Sequence, residues 1–95
     1  MINGPLYYID GDKVYCRGMG GKRDGELLKR IVSSIPQGTS CHLRYEDRSW
    51  FMIRGERGWL CLPASNRDRP EEVRLKLIGY LGGIEKEVKK RWRLL

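Results

Sequence analysis

An α+β fold in the order β-hairpin, helix, three-stranded antiparallel meander and long C-terminal helix is predicted by two patterns in the sequence. Apolar residues recur at three- and four-residue steps in 24–35 and again in 70–95, the spacing of one face of a helix. Elsewhere, short runs rich in aromatic and β-branched residues are bounded by Gly, Asp and Glu, the pattern of strands joined by turns. Ninety-five residues, 40% of them hydrophobic, suffice for one modest core, so residues 1–95 are expected to form one domain.

Each element has a local cause. Leu6-Tyr7-Tyr8-Ile9 and Val14-Tyr15-Cys16 flank a Gly/Asp turn. A two-residue Gly11-Asp12 loop sets Ile9 opposite Val14, Tyr8 opposite Tyr15 and Asp10 opposite Lys13. After the glycine-rich segment 18–23, Asp24 suits the N-cap of a helix whose Leu27, Leu28, Ile31, Val32 and Ile35 share one face, with Pro36 and Gly38 to end it. In 40–63 the pattern turns to strands at 41–45, 50–54 and 59–62. Their turns are Glu46-Asp47-Arg48-Ser49 and Gly55-Glu56-Arg57-Gly58.

A polar loop then leads to Pro70, suited to the first helical position, and to Glu71 and Glu72 at the positive end of the helix dipole. Val73, Leu77, Leu81, Ile84, Val88 and Leu95 mark a ridge along a helix expected to span 70–95, with Glu85 to Lys89 and Glu87 to Arg91 pairs one turn apart. Gly82-Gly83 are suited to bend or break it. Both helices are expected to pack on one sheet face and leave the other free to bind.

Nineteen Lys and Arg against twelve Asp and Glu give a net charge of +7, an excess that favours a polyanionic partner through counterion release, with nucleic acid foremost. Met1-Ile2-Asn3-Gly4-Pro5 lacks the basic start and apolar core of a signal peptide, and no stretch is apolar enough to span a bilayer. Three cysteines, Cys16, Cys41 and Cys61, fit free thiols in a reducing compartment, so a cytoplasmic location is expected. Scarce amides and 33% charged residues are the balance of a thermophile.

The candidate site lies on the meander. Strand alternation puts Leu43, Tyr45, Trp50, Met52, Arg54, Trp59 and Cys61 on one face if Tyr45 pairs with Trp50 and Arg54 with Trp59. Phe51, Ile53, Leu60 and Leu62 fall on the other, an ordinary core for the helices. Aromatic side chains on an open sheet stack unpaired bases at about 1–3 kcal/mol each, while neighbouring cations hold phosphates. Tyr45, Trp50 and Trp59 suit the stacking, and Arg44, Arg54 and Arg57 the phosphates; the other reading of Trp50 and Trp59 is plain core, beneath helices or a dimer partner. Lys22 and Arg23 add cations beside backbone N–H groups and a helix N-terminus, although Arg23 after Lys22 departs from a Walker A loop. The C-terminal run Lys86, Lys89, Lys90, Arg91 and Arg93 suits phosphates and the helix dipole alike.

A binding protein rather than an enzyme is expected, without metal or cofactor. The single His42 has Arg44 and Glu46 as same-face neighbours and no nucleophile spaced to use it. Cys41 and His42 point to opposite faces, and Cys41 and Cys61 flank the middle strand, about 9.5 Å apart, too far for a disulfide. Trp92, Leu94 and Leu95 extend the C-terminal ridge enough to zip against a second copy, so a homodimer is expected.

From Glu26 onward the order helix, three strands, helix is similar to the double-stranded-RNA-binding domain, but Pro70-Glu71-Glu72 stand where that family places a Lys-rich cluster. The general plan also resembles, more loosely, the archaeal thermophilic single-stranded-DNA-binding proteins called ThermoDBP and their shorter relatives, and this resemblance is the one preferred. In that resemblance Trp50-Phe51-Met52-Ile53-Arg54 and Trp59 fill the aromatic, basic cleft and 70–95 the dimerising helix. The expected activity is sequence-tolerant binding of single-stranded DNA or RNA. The competing expectation is a small dimeric interaction or assembly protein without nucleic-acid activity.

Overall fold

A computed structural model of the chain describes residues 5–35, 40–45, 48–64 and 69–95. Among these, β1 (Leu6–Asp10), β2 (Lys13–Arg17), β3 (Ser40–Tyr45), β4 (Arg48–Arg54), β5 (Trp59–Ala64) and β6 (Arg93–Leu94) form one antiparallel sheet in the order β3-β4-β5-β1-β2-β6. Helices α1 (Lys22–Ser34) and α2 (Pro70–Arg91) complete an α+β fold.

The hairpin has the register its turn dictates: Asp10 faces Lys13, Ile9 faces Val14 and Tyr8 faces Tyr15. Gly11 makes this possible by taking φ +60°, a left-handed conformation that costs glycine nothing. Arg54 pairs with Trp59 as expected, but Tyr45 pairs with Arg48, and Leu43 takes the place opposite Trp50. The β3–β4 turn is therefore two residues tighter than the sequence suggested, with Arg48 and Ser49 drawn into β4; Glu46 and Asp47 lie outside the described residues. Because strand faces repeat every two residues, this shift leaves every side chain on its expected face. Hairpin and meander are one sheet, since Tyr7, Tyr8 and Ile9 pair with Cys61, Leu60 and Trp59.

The expectation that both helices share one face is overturned. Leu28 and Val32 of α1 pack with Tyr7, Ile9, Val14, Cys16, Trp50, Met52, Trp59 and Cys61. Leu77 and Val88 of α2, with Trp92, pack on the opposite face with Tyr8, Tyr15, Phe51, Ile53, Leu60 and Leu62. The physical reason lies in β1, β4 and β5, whose central runs Tyr7-Tyr8-Ile9, Trp50-Phe51-Met52-Ile53 and Trp59-Leu60-Cys61-Leu62 are apolar on both faces. A strand of that kind belongs to a sheet covered on both sides. Each such side chain contributes about 1.5–3 kcal/mol when buried, so an open face here would forfeit many times that amount.

Helix boundaries shift for equally local reasons. Gly21, not Asp24, is the N-cap of α1; Asp24 sits in the first turn and takes Arg48 of β4 at 2.7 Å. The helix ends at Ser34 with Ile35 as C-cap; Pro36 and Gly38 lie outside the described residues. Helix α2 runs through Gly82-Gly83 but stops at Arg91, short of the expected Leu95. Trp92 caps it and is buried, Arg93–Leu94 form β6 against β2, and the Leu95 N–H donates to the Val14 carbonyl. The ridge expected to join two copies, Leu77, Val88 and Trp92 included, is therefore used within the chain's own core.

Candidate nucleic-acid interface

Burial of the α1 face decides the fate of the expected stacking surface. Trp50 and Trp59 share a face, as the strand pattern requires, but only 3% and 5% of their surfaces are exposed, beneath α1. A base cannot reach either ring without displacing the helix. Trp50 instead meets Tyr7 edge to face at 5.8 Å, a packing contact. Tyr45 ends β3, and its side chain lies outside the described residues. Arg44 is exposed on β3, at the sheet edge. Lys22 and Arg23 are exposed at the start of α1, on the face opposite α2. The eight residues singled out in the sequence thus do not form one surface.

Two of them meet cations from elsewhere. The β4–β5 turn and the C-terminal half of α2 border a cleft of about 720 Å³, lined by Arg54 and Arg57 from the turn region and by Lys86, Lys89 and Lys90 from the helix. Arg54, Arg57 and the three lysines are all exposed, but the Arg54 guanidinium rests over the ring of its cross-strand neighbour Trp59 on the α1 face, 5.8 Å from the centroid. Asp10, Glu56 and Glu85 also line the cleft, so the four cations Arg57, Lys86, Lys89 and Lys90 face three carboxylates.

One of those carboxylates holds the cleft together. Glu85 accepts the Tyr8 hydroxyl proton in a short hydrogen bond, and the Glu56 and Arg57 N–H groups each donate to it at 3.3 Å. It thereby ties α2 to β1 and to the β4–β5 turn at once. A Cβ on Gly55 would lie 2.6 Å from the Glu85 carboxylate, so glycine at this position lets the acid close on the turn. Burial first, and then the hydrogen bond to Glu85 and its charge, hold the Tyr8 hydroxyl well above its ordinary range, so it stays a donor. Among the described residues the expected Glu85 to Lys89 ion pair does not form, and Glu85 is engaged by Tyr8 and the β4–β5 turn.

Sequence reasoning identified Arg54, Arg57 and the C-terminal lysines as cations but not their convergence, and it missed Tyr8 and Glu85. Seventy-seven residues separate those two, and nothing local signals their contact. His42 stacks on Phe51 at 4.5 Å and lines a smaller hollow of about 220 Å³ beside Glu71 and Arg74, away from the basic cleft. All three cysteines are free, and Cys41 and Cys61 lie on either side of Met52, as their strand positions require. Among the described residues no helix is long and apolar enough to cross a membrane. No protein-family model, curated protein or solved structure matches the chain.

Proposed function

We propose that this protein binds single-stranded DNA or RNA in a sequence-tolerant manner, in the cytoplasm, by holding the phosphate backbone in the cleft between the β4–β5 turn and α2. The observation that carries this reading is the convergence of Arg57, Lys86, Lys89 and Lys90 on one cleft of about 720 Å³, with Arg54 at its border, in a chain of net charge +7. Phosphates are read by charge and not by sequence, so a cleft that offers cations without exposed aromatic rings selects for backbone over base. Glu85 serves as a fixed strut beneath the cations, its oxygens already engaged by Tyr8 and by two backbone N–H groups. The cleft is bounded by one turn and one helix, which suits a single backbone better than a duplex.

The test is fluorescence anisotropy of labelled single-stranded DNA, single-stranded RNA and duplex DNA across a salt series. Three phosphate contacts give a log–log salt slope of about −2 on a single strand. Reversing charge at Arg57 and Lys89 together (Arg57→Glu, Lys89→Glu) removes binding, whereas the same reversal at Lys22 and Arg23, on the other sheet face, leaves most of it. No binding at low salt, or equal loss from both double variants, overturns the reading. Exposed Leu75 and Ile78 on α2 then favour the second reading, a protein–protein assembly role.

A further inference from the structure

Helix α2 carries a second face that the fold does not use. Leu77, Val88 and Trp92 turn toward the sheet, yet Leu75 and Ile78, on the outer side, are 73% and 52% exposed. At 100° per residue, Glu71, Glu72, Lys76, Lys86, Lys89 and Lys90 fall on this outer half with them, around Gly79, Gly82 and Gly83. Every one of them is exposed. A Cβ at Gly79, Gly82 or Gly83 would meet nothing within 4 Å, so nothing among the described residues requires glycine there. Glycine is the least favourable helix-interior residue after proline, and three within five positions weaken α2 without any return inside the monomer.

Along this face the two carboxylates lie in the first turn and three lysines in the last two, with Leu75, Lys76, Ile78 and the glycines between them. Parallel association of two such helices sets like charges together at both ends. Antiparallel association sets unlike charges together at both ends, and a two-fold axis between the helices then generates both ends from one set of contacts. With Gly79 opposite the partner's Gly82, the same register puts Ile78 against the partner's Gly83, Leu75 along the aliphatic stem of the partner's Lys86, and Glu71 across from the partner's Lys90. Backbones approach closely where the glycines meet, and the exposed apolar side chains fill the flanks.

We propose that the outer face of α2 is the interface of an antiparallel homodimer, centred on Gly79 and Gly82 and aligned by Glu71 and Glu72 against Lys86 and Lys90 of the second copy. Apolar burial of Leu75 and Ile78 supplies the attraction, and the charges fix direction and register. Ile78, Gly82, Lys86 and Lys90 also line the basic cleft, so the second copy and a nucleic-acid strand compete for the same lysines, and the association is measured on protein free of nucleic acid.

The test is the mass of the full chain in solution, by sedimentation equilibrium across a concentration series. The wild type has twice the 11.1 kDa chain mass, and Leu75→Glu with Ile78→Glu returns it to the monomer. Because both side chains are exposed, circular dichroism and the thermal midpoint of that variant at low concentration are those of a folded monomer. Gly82→Gln, which favours the helix, also weakens the dimer. Glu71→Lys with Glu72→Lys, and separately Lys86→Glu with Lys90→Glu, each weaken association by about tenfold or more, a loss of about 1.4 kcal/mol or more. All four changes combined restore it, since an antiparallel pair regains its unlike charges. A wild type that stays monomeric, a dimer indifferent to Leu75→Glu with Ile78→Glu, or a fourfold variant no better than its halves overturns the proposal.

Discussion

The two faces of the sheet are built from one strand pattern but are closed in different ways. On one, α1 lies over Trp50, Met52, Trp59 and Cys61 and spends Leu28, Ile31, Val32 and Ile35 of its single apolar stripe on the core. On the other, α2 lies over Phe51, Ile53, Leu60 and Leu62 but carries apolar residues on its outer side as well. Consecutive residues of β1 latch the two helices. The Tyr7 hydroxyl donates to the Gly21 carbonyl at the start of α1, and the Tyr8 hydroxyl to Glu85 of α2. The α1 latch ends at a backbone carbonyl and does nothing beyond holding the helix. The α2 latch ends at a carboxylate that also shapes a basic cleft. A core can therefore be symmetric in burial while charged groups gather on the one side whose closing helix also carries exposed apolar residues.

The sharpest way to break this comparison is to truncate one aromatic on each face. Trp50→Ala and Phe51→Ala each cost about 3–5 kcal/mol, measured as loss of unfolding free energy in guanidinium, because both are buried and neither cavity can collapse fully. Near-zero cost at Trp50 with a large cost at Phe51 would mean that the α1 face is open after all. The comparison within α2 comes next. Leu77→Ala, a fully buried position, costs about 2–5 kcal/mol. Leu75→Ala, two residues away on the outer side, changes the stability of the dilute monomer by no more than about 0.5 kcal/mol.

What was legible in the sequence follows the range of the interactions. The hairpin register was fixed by two turn residues, and the face of every meander strand by alternation, so these were readable; even the misplaced β3–β4 turn preserved the faces because it was wrong by two residues. Which helix covers which face depends on loop paths and on β1 docking beside β5, contacts about fifty residues apart that no local pattern encodes. One signal pointed the right way. The apolar run Trp50-Phe51-Met52-Ile53 asks for cover on both sides, and its mixture of Trp, Met and flanking Arg drew the reading toward stacking instead. The candidate site was legible only as an inventory of cations. Arg57 precedes Lys89 by thirty-two positions, and the strut that brings their elements together, Glu85 with Tyr8, joins the two ends of the chain.

The two tyrosine latches give the smallest predicted effect and a direct comparison of the faces. Burial first, with Cys16 and Asp24 adding to it, pushes the Tyr7 hydroxyl from its ordinary 10 up to about 12; burial and Glu85 raise Tyr8 as well. The unfolded chain then loses these protons at lower pH than the folded one does. Both residues contribute stability that is fully present below about pH 10 and is lost as pH rises through the folded values. The guanidinium midpoint is therefore flat up to about pH 10 and falls beyond it, and Tyr7→Phe and Tyr8→Phe each make the fall shallower. At neutral pH, Tyr7→Phe removes a bond to a neutral carbonyl and costs about 0.5–1.5 kcal/mol, whereas Tyr8→Phe removes a charge-assisted one and costs about 1.5–3 kcal/mol. Only the second should also weaken the proposed strand binding, because only Tyr8 holds the group that positions the β4–β5 turn. Equal effects of the two on binding would place the function of the cleft elsewhere than on Glu85.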